Sequence, residues 1–132
     1  MITLMYSFTK IHSILERYGI FLSIIFLCVI TFFSLLPVPK STPSLHFDKI
    51  LHCCAYAALT FPCSYSFPNR KISWAIYATV WGGCIEMIQP YTGRTSDILD
   101  AICNGFGAFV GIGISFLVIK AYASFSIRSD KK

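Results

Sequence analysis

Acidic side chains are scarce in this chain: six Asp and Glu in 132 residues, against eleven Lys and Arg. Charge of either sign is scarce as well, at 13% of residues. A soluble domain carries roughly twice that share. Hydrophobic residues make up 55% and mean hydropathy is +0.66. Too little polar surface exists to cover a core surrounded by water, which excludes an ordinary soluble domain. The chain is also short enough for one domain and no more.

Other absences narrow the class further. Six cysteines are present, but none has metal-type spacing, and Cys53-Cys54 is not a CxxC pair. All six fall in apolar runs and read as small buried hydrophobes, without a disulfide framework. No basic stripe alternates with exposed aromatics, so nucleic acid is not an expected partner. The first apolar run is too long for a signal peptide and ends at Pro37-Val38-Pro39 without an A-x-A site. It is expected to remain as a helix.

What is present is length without charge. Four apolar runs, at about 18–36, 49–67, 72–89 and 97–121, are each long enough to cross a bilayer. The first carries no charge and spans about 28 Å as a helix. Pro62 is expected to kink the second, Pro90 ends the third, and Thr95-Ser96 reads as an N-cap pair for the fourth. The fold expected is all-α, a polytopic membrane protein built as a bundle of four transmembrane helices. Residues 1–17 form an N-terminal segment, 18–121 the transmembrane domain and 122–132 a basic, frayed tail.

Basic residues orient these runs. Lys10, Arg17, Arg70, Lys71, Lys120, Arg128, Lys131 and Lys132 share one side of the membrane; Lys40, Lys49 and Arg94 are on the other. Eight against three places both termini in the cytoplasm. The rare polar groups then converge. Asp48 and His52 open the second run, Glu86 and Gln89 close the third, and Asp97, Asp100 and Asn104 open the fourth. All three places lie at the non-cytoplasmic end.

Helical spacing gives the same result. At about 100° per residue, Asp97, Asp100, Asn104, Gly107, Gly111 and Ser115 share one stripe. So do Thr79, Gly82, Gly83, Glu86 and Gln89, and so do Asp48, His52, Ala55, Leu59 and Cys63, with Tyr56 beside them. Each stripe is polar at its outer end and mostly small below, which lets helices approach closely in lipid. The first run has only Ser23, Thr31 and Ser34 and reads as scaffold, while Trp74 and Trp81 read as lipid-facing or interfacial anchors.

Three ordered blocks, Asp48-Lys49-x-x-His52-x-x-x-Tyr56, Glu86-x-x-Gln89 and Arg94-x-x-Asp97-x-x-Asp100-x-x-x-Asn104-x-x-Gly107, resemble the VanZ-like family. The resemblance covers roughly residues 18–120. The family is named for a protein linked to teicoplanin resistance. The resemblance implies a small bacterial protein of the inner, cytoplasmic membrane, with four or so helices and a link to the cell envelope and to antibiotic resistance.

An ionised group inside a bilayer is costly and is functional by default. Four carboxylates here face two cations, Lys49 and Arg94. The surplus is resolved by protonation, by a salt-bridged network that includes a charged His52, or by a divalent cation such as Mg²⁺, Mn²⁺ or Ca²⁺. One reading is an enzyme acting at the outer leaflet on a lipid-linked or cell-envelope substrate. Asp48, His52, Glu86 and Asp100 are its candidate acid–base groups; Lys49, Tyr56, Gln89, Arg94, Asp97 and Asn104 are its candidate substrate-binding groups. Arg94 would hold a phosphate or carboxylate bidentately. A second reading is a non-enzymatic protein that recognises a lipid head group, a ligand or a partner membrane protein. In a third, the polar groups only satisfy one another and fix helix register. A proton or ion pathway ranks lowest, because no comparable ionisable group lies in the cytoplasmic halves of the runs. The orientation has a direct check. In a cysteine-free background, cysteines placed at Thr92 and Ser44 should react with an impermeant thiol reagent in intact cells, and one at Asn69 should not.

Overall fold

The computed structural model describes residues 2–37 and 45–129. Pro39, Lys40, Ser44, Lys131 and Lys132 lie outside the described residues. Four α-helices account for nearly all the rest: α1 (Ile2–Leu35), α2 (Leu45–Ser66), α3 (Lys71–Ile88) and α4 (Ile98–Ser129). Short 3-10 turns, Pro68–Arg70 and Gln89–Thr92, flank α3. The second ends at Gly93, whose φ of 83° is the left-handed geometry glycine adopts without strain.

Two of the four helices are long and apolar enough to cross a membrane, over Ser7–Leu35 and Ile98–Ser126. Large apolar side chains also point outward on every helix: Phe21 and Phe32 on α1, Ile50 on α2, Val80 on α3, Phe106 and Leu117 on α4. Exposure on that scale fits lipid and not water. This is a membrane protein.

Both long helices exceed the expected runs. α1 begins at Ile2 rather than near residue 18, and α4 continues to Ser129 rather than ending in a frayed tail at 122. The extra turns have partners. Phe8 stacks on Phe125 with ring centroids 6.1 Å apart, and His12 stacks on Tyr122 at 3.8 Å. Nδ1 of His12 also lies 2.6 Å from the Tyr65 hydroxyl. The start of α1 thus meets the ends of α2 and α4. His12 and Glu16, both ahead of the first expected run, thus lie within α1 at this end.

α2 is the hub. It packs against all three other helices, most extensively against α4. Glycine makes that contact close. A Cβ on Gly107 would collide with the backbone of Cys53, and one on Gly111 with Thr60 and the carbonyl of Ala57. Thr60 adds a cross-link, its hydroxyl donating to the Ala108 carbonyl at 2.9 Å. On the other flank, Gly19 of α1 is pressed on the Pro62 carbonyl and Ser66.

α1 is more than scaffold, because its few hydroxyls mend and pin α2 and α3. Pro62 lies inside α2, which continues past it to Ser66. Ser23 reaches into the ladder there: its hydroxyl donates to Leu59 O at 2.8 Å and accepts from Cys63 N at 3.1 Å. That satisfies backbone groups next to a residue that has no N–H of its own. Trp81, expected as a lipid anchor, is exposed but also donates Nε1–H to the Thr31 hydroxyl at 2.9 Å.

Gly107→Ala and Gly111→Ala should each push α2 from α4 and cost about 1–3 kcal/mol. Gly113, whose Cβ would meet nothing within 4 Å, supplies the control: Gly113→Ala should be neutral or slightly stabilising. Thermal unfolding in detergent checks both.

Candidate functional site

The helices alternate in direction, so the end of α1, the start of α2, the end of α3 and the start of α4 come together. The polar stripes meet there. Asp100 and Asn104 of α4, His52 of α2 and Glu86 of α3 are all buried. Asp48, Lys49 and Asp97 rim them, half-buried.

Lys49 binds the two Asp residues of the α4 start. Its Nζ is 2.7 Å from Asp97 Oδ2 and 3.2 Å from Asp100 Oδ1. Asp97, just ahead of α4, also caps the helix: its Oδ1 accepts from Leu99 N at 2.9 Å. The cap is therefore Asp97, not the Thr95-Ser96 pair expected from sequence. The Lys49 ammonium, with help from the Leu99 N–H, holds the Asp97 carboxyl below its ordinary value of 3.8. Asp97 also donates its backbone N–H to Glu86 Oε2 at 3.3 Å.

His52 sits at the centre. Its Nδ1 is 2.9 Å from Asn104 Oδ1. Its Nε2 is 4.0 Å from Asp48 Oδ1 and 4.0 Å from Asp100 Oδ2. Asp48, His52 and Asp100 each offer one ligand atom, all within 4.8 Å of one another. Tyr56 lies one turn below His52, almost wholly buried; its hydroxyl and the Asn104 amide both abut Gly82. Gly82 is thus where α3 leaves room for them. Gly83, placed on the same stripe by spacing, faces open space.

Two expected members turn away. Arg94 donates from Nη1 to the Phe33 carbonyl at 3.4 Å, and Gln89 donates from Nε2 to the Ser34 carbonyl at 3.2 Å. Both side chains cover carbonyls in the last turn of α1, which have no partner within their own helix. Arg94 is thus bonded to α1 while still close enough to Glu86 to act on it electrostatically. Ser34 itself offers its backbone here, which its sequence position did not signal.

Charge is therefore more one-sided than composition implied. Four carboxylates gather around one contacting cation, Lys49. One oxygen of Glu86, Oε1, is buried with no hydrogen-bond donor, although the residue is only 4% exposed. An unpaired buried acceptor of this kind is expensive and calls for a partner. A cavity of about 180 Å³ lies elsewhere, between α1, α2 and α3; Ile20, Leu27, Leu59, Trp74 and Ala78 are among its lining. It is apolar and shares no residue with the cluster.

The carboxylate of Asp97 gives a pH test. Its pKa is depressed on folding, so its stabilising effect is present above 3.8 and lost as pH falls through the lower folded value. Asn still caps a helix, so Asp97→Asn removes charge and keeps the cap. Wild type should be more stable than Asp97→Asn at neutral pH, and the two should converge below pH 3.8 in acid-unfolding curves.

A family model described as VanZ/LLP1 matches residues 2–119. No curated protein and no solved structure matches the chain.

Proposed function

The chain belongs to the VanZ/LLP1 family, and from that we propose a four-span protein of the bacterial cytoplasmic membrane whose polar cluster handles a lipid-linked compound of the cell envelope. Both termini are cytoplasmic in this reading, following the bias of basic residues. α2 and α3 complete the four spans: their outward faces carry Ile50, Leu51, Ile76 and Val80, which suit lipid. The cluster then lies at the outer leaflet, where a membrane-anchored head group is within reach.

One observation carries the reading. Three helices turn their rare ionisable groups toward one another, yet leave the buried Glu86 Oε1 without a donor. A purely structural network would close that gap, because an uncompensated buried carboxylate weakens the fold. His52 lies between Asp48 and Asp100, its Nε2 4.0 Å from an oxygen of each. Asp48 is the access route, with its side chain 44% exposed.

A second reading, binding without turnover, is favoured by a specific feature. Among the described residues no hydroxyl or thiol hydrogen-bonds to His52, so no side chain is set up as an activated nucleophile. Turnover of a lipid-linked substrate by the purified protein decides against it.

Glu86→Gln tests the main reading. The neutral amide can fill the same volume, so the variant should accumulate normally and unfold at or above the wild-type temperature. In a strain dependent on this chain, it should abolish any change in envelope-lipid profile and in glycopeptide sensitivity that the wild type confers. Retention of that phenotype by a stable Glu86→Gln protein would remove the site from the function.

A further inference from the structure

An anionic head group poses a problem for the site as built. Lys49 is engaged by Asp97 and Asp100, and Arg94 is turned to α1. What remains facing the centre is a set of acceptors. A phosphate could not approach Asp48, Asp100 and Glu86 without a cation between. We propose that Asp48, His52 and Asp100 bind one divalent transition-metal ion, Mn²⁺ or Zn²⁺ in chemical class, which rests on the reading of this cluster as the functional site.

The geometry favours an ion over a direct ion pair. His52 Nε2 stands 4.0 Å from an oxygen of Asp48 and 4.0 Å from an oxygen of Asp100. Both gaps are too long for a hydrogen bond. Donor atoms held about 2.1 Å from one tetrahedral ion stand roughly 3.4 Å apart, so each of these gaps closes by roughly half an ångström when the groups share an ion. The full set of three ligand atoms lies within 4.8 Å, and the exposed Asp48 can rotate through what is left.

The neighbours are arranged as metal ligands require. The Asn104 Oδ1 accepts from His52 Nδ1, which places the lone pair on Nε2, facing the two carboxylates. Asp100 divides its oxygens: Oδ1 takes Lys49, and Oδ2 faces His52. Lys49 therefore positions Asp100 without occupying the oxygen an ion would use. Independently, the buried Glu86 Oε1 lacks a donor. Glu86 is within electrostatic reach of His52, Asp100 and Arg94, and a water held by the ion would supply the donor that Arg94, bonded to Phe33 O, does not. Two carboxylates and one imidazole are a mixed oxygen and nitrogen set. Ca²⁺ and Mg²⁺ prefer oxygen alone, whereas Mn²⁺ and Zn²⁺ accept both.

Mn²⁺ alone is the probe, because the six cysteines would also attract Zn²⁺. The full chain is purified in detergent, stripped with chelator and titrated with MnCl₂ under electron paramagnetic resonance. Wild type should bind one Mn²⁺ per chain. His52→Ala and Asp100→Asn should each weaken binding by at least roughly tenfold. Glu16→Gln, at the opposite end, should leave it unchanged. Spin-echo modulation from an imidazole nitrogen on the wild-type Mn²⁺ complex tests the same ligand without relying on a variant that folds. Binding absent in wild type, or insensitive to both substitutions, or lacking imidazole nitrogen, overturns the proposal. Those results leave the Glu86→Gln phenotype untouched, so the metal can fail while the site stands. A wild-type Mn²⁺ complex beside a fully active Glu86→Gln strain would separate them the other way.

Discussion

The close approach of α2 to α4 is the contact on which the site depends. In lipid no hydrophobic force drives two helices together, so what holds them is packing and polar contact. Gly107 against the Cys53 backbone and Gly111 against Ala57 bring the two backbones together, and Thr60 bonds to the Ala108 carbonyl across the seam. These contacts set the register in which His52 meets Asn104 one turn above Gly107. A shift of one turn would take His52 off Asn104. The small residues deep in the stripe and the polar residues at its end are parts of one device.

That seam also explains how so many acids are tolerated. A carboxylate taken out of water needs a charge partner or hydrogen bonds. Asp97 has Lys49 and its own helix start; Asp100 shares Lys49; Asp48 keeps nearly half its side-chain surface open. Glu86 is the exception, half satisfied by the Asp97 N–H and buried. The unresolved electrostatic cost is thus focused on α3, facing the two other helices. A protein can retain such a cost where its release is coupled to binding.

Much of this was legible in the sequence, and the limits of that legibility are physical. Period and polarity placed Asp48, His52, Glu86, Asp97, Asp100 and Asn104 at one end, because helix geometry converts spacing into direction. The same reasoning grouped Arg94 and Gln89 with them. It could not see that the end of α1 presents bare carbonyls at Phe33 and Ser34, which compete for both side chains. Gly83 fell on the stripe by angle, yet only Gly82 meets a neighbour. Ser23 looked incidental until Pro62 opened the α2 ladder opposite it. The extra turns of α1 were missed for a related reason: Lys10, His12 and Arg17 interrupt the apolar run, yet the helix continues through them with His12 against Tyr65 and Tyr122.

The two ends of the bundle can now be compared. At the His12 end an imidazole stacks on Tyr122 and bonds to Tyr65, with Glu16 at 3.4 Å and its side chain largely exposed. Between the ends, the seam buries hydroxyls such as Thr60, Ser64 and Ser115. Asp48, Glu86, Asp97 and Asp100, by contrast, gather at the other end of the bundle. The three helices contribute differently there: α2 brings His52 and Lys49, α4 the Asp100 carboxylate and Asn104 amide that contact them, and α3 the buried Glu86 with one oxygen unpaired.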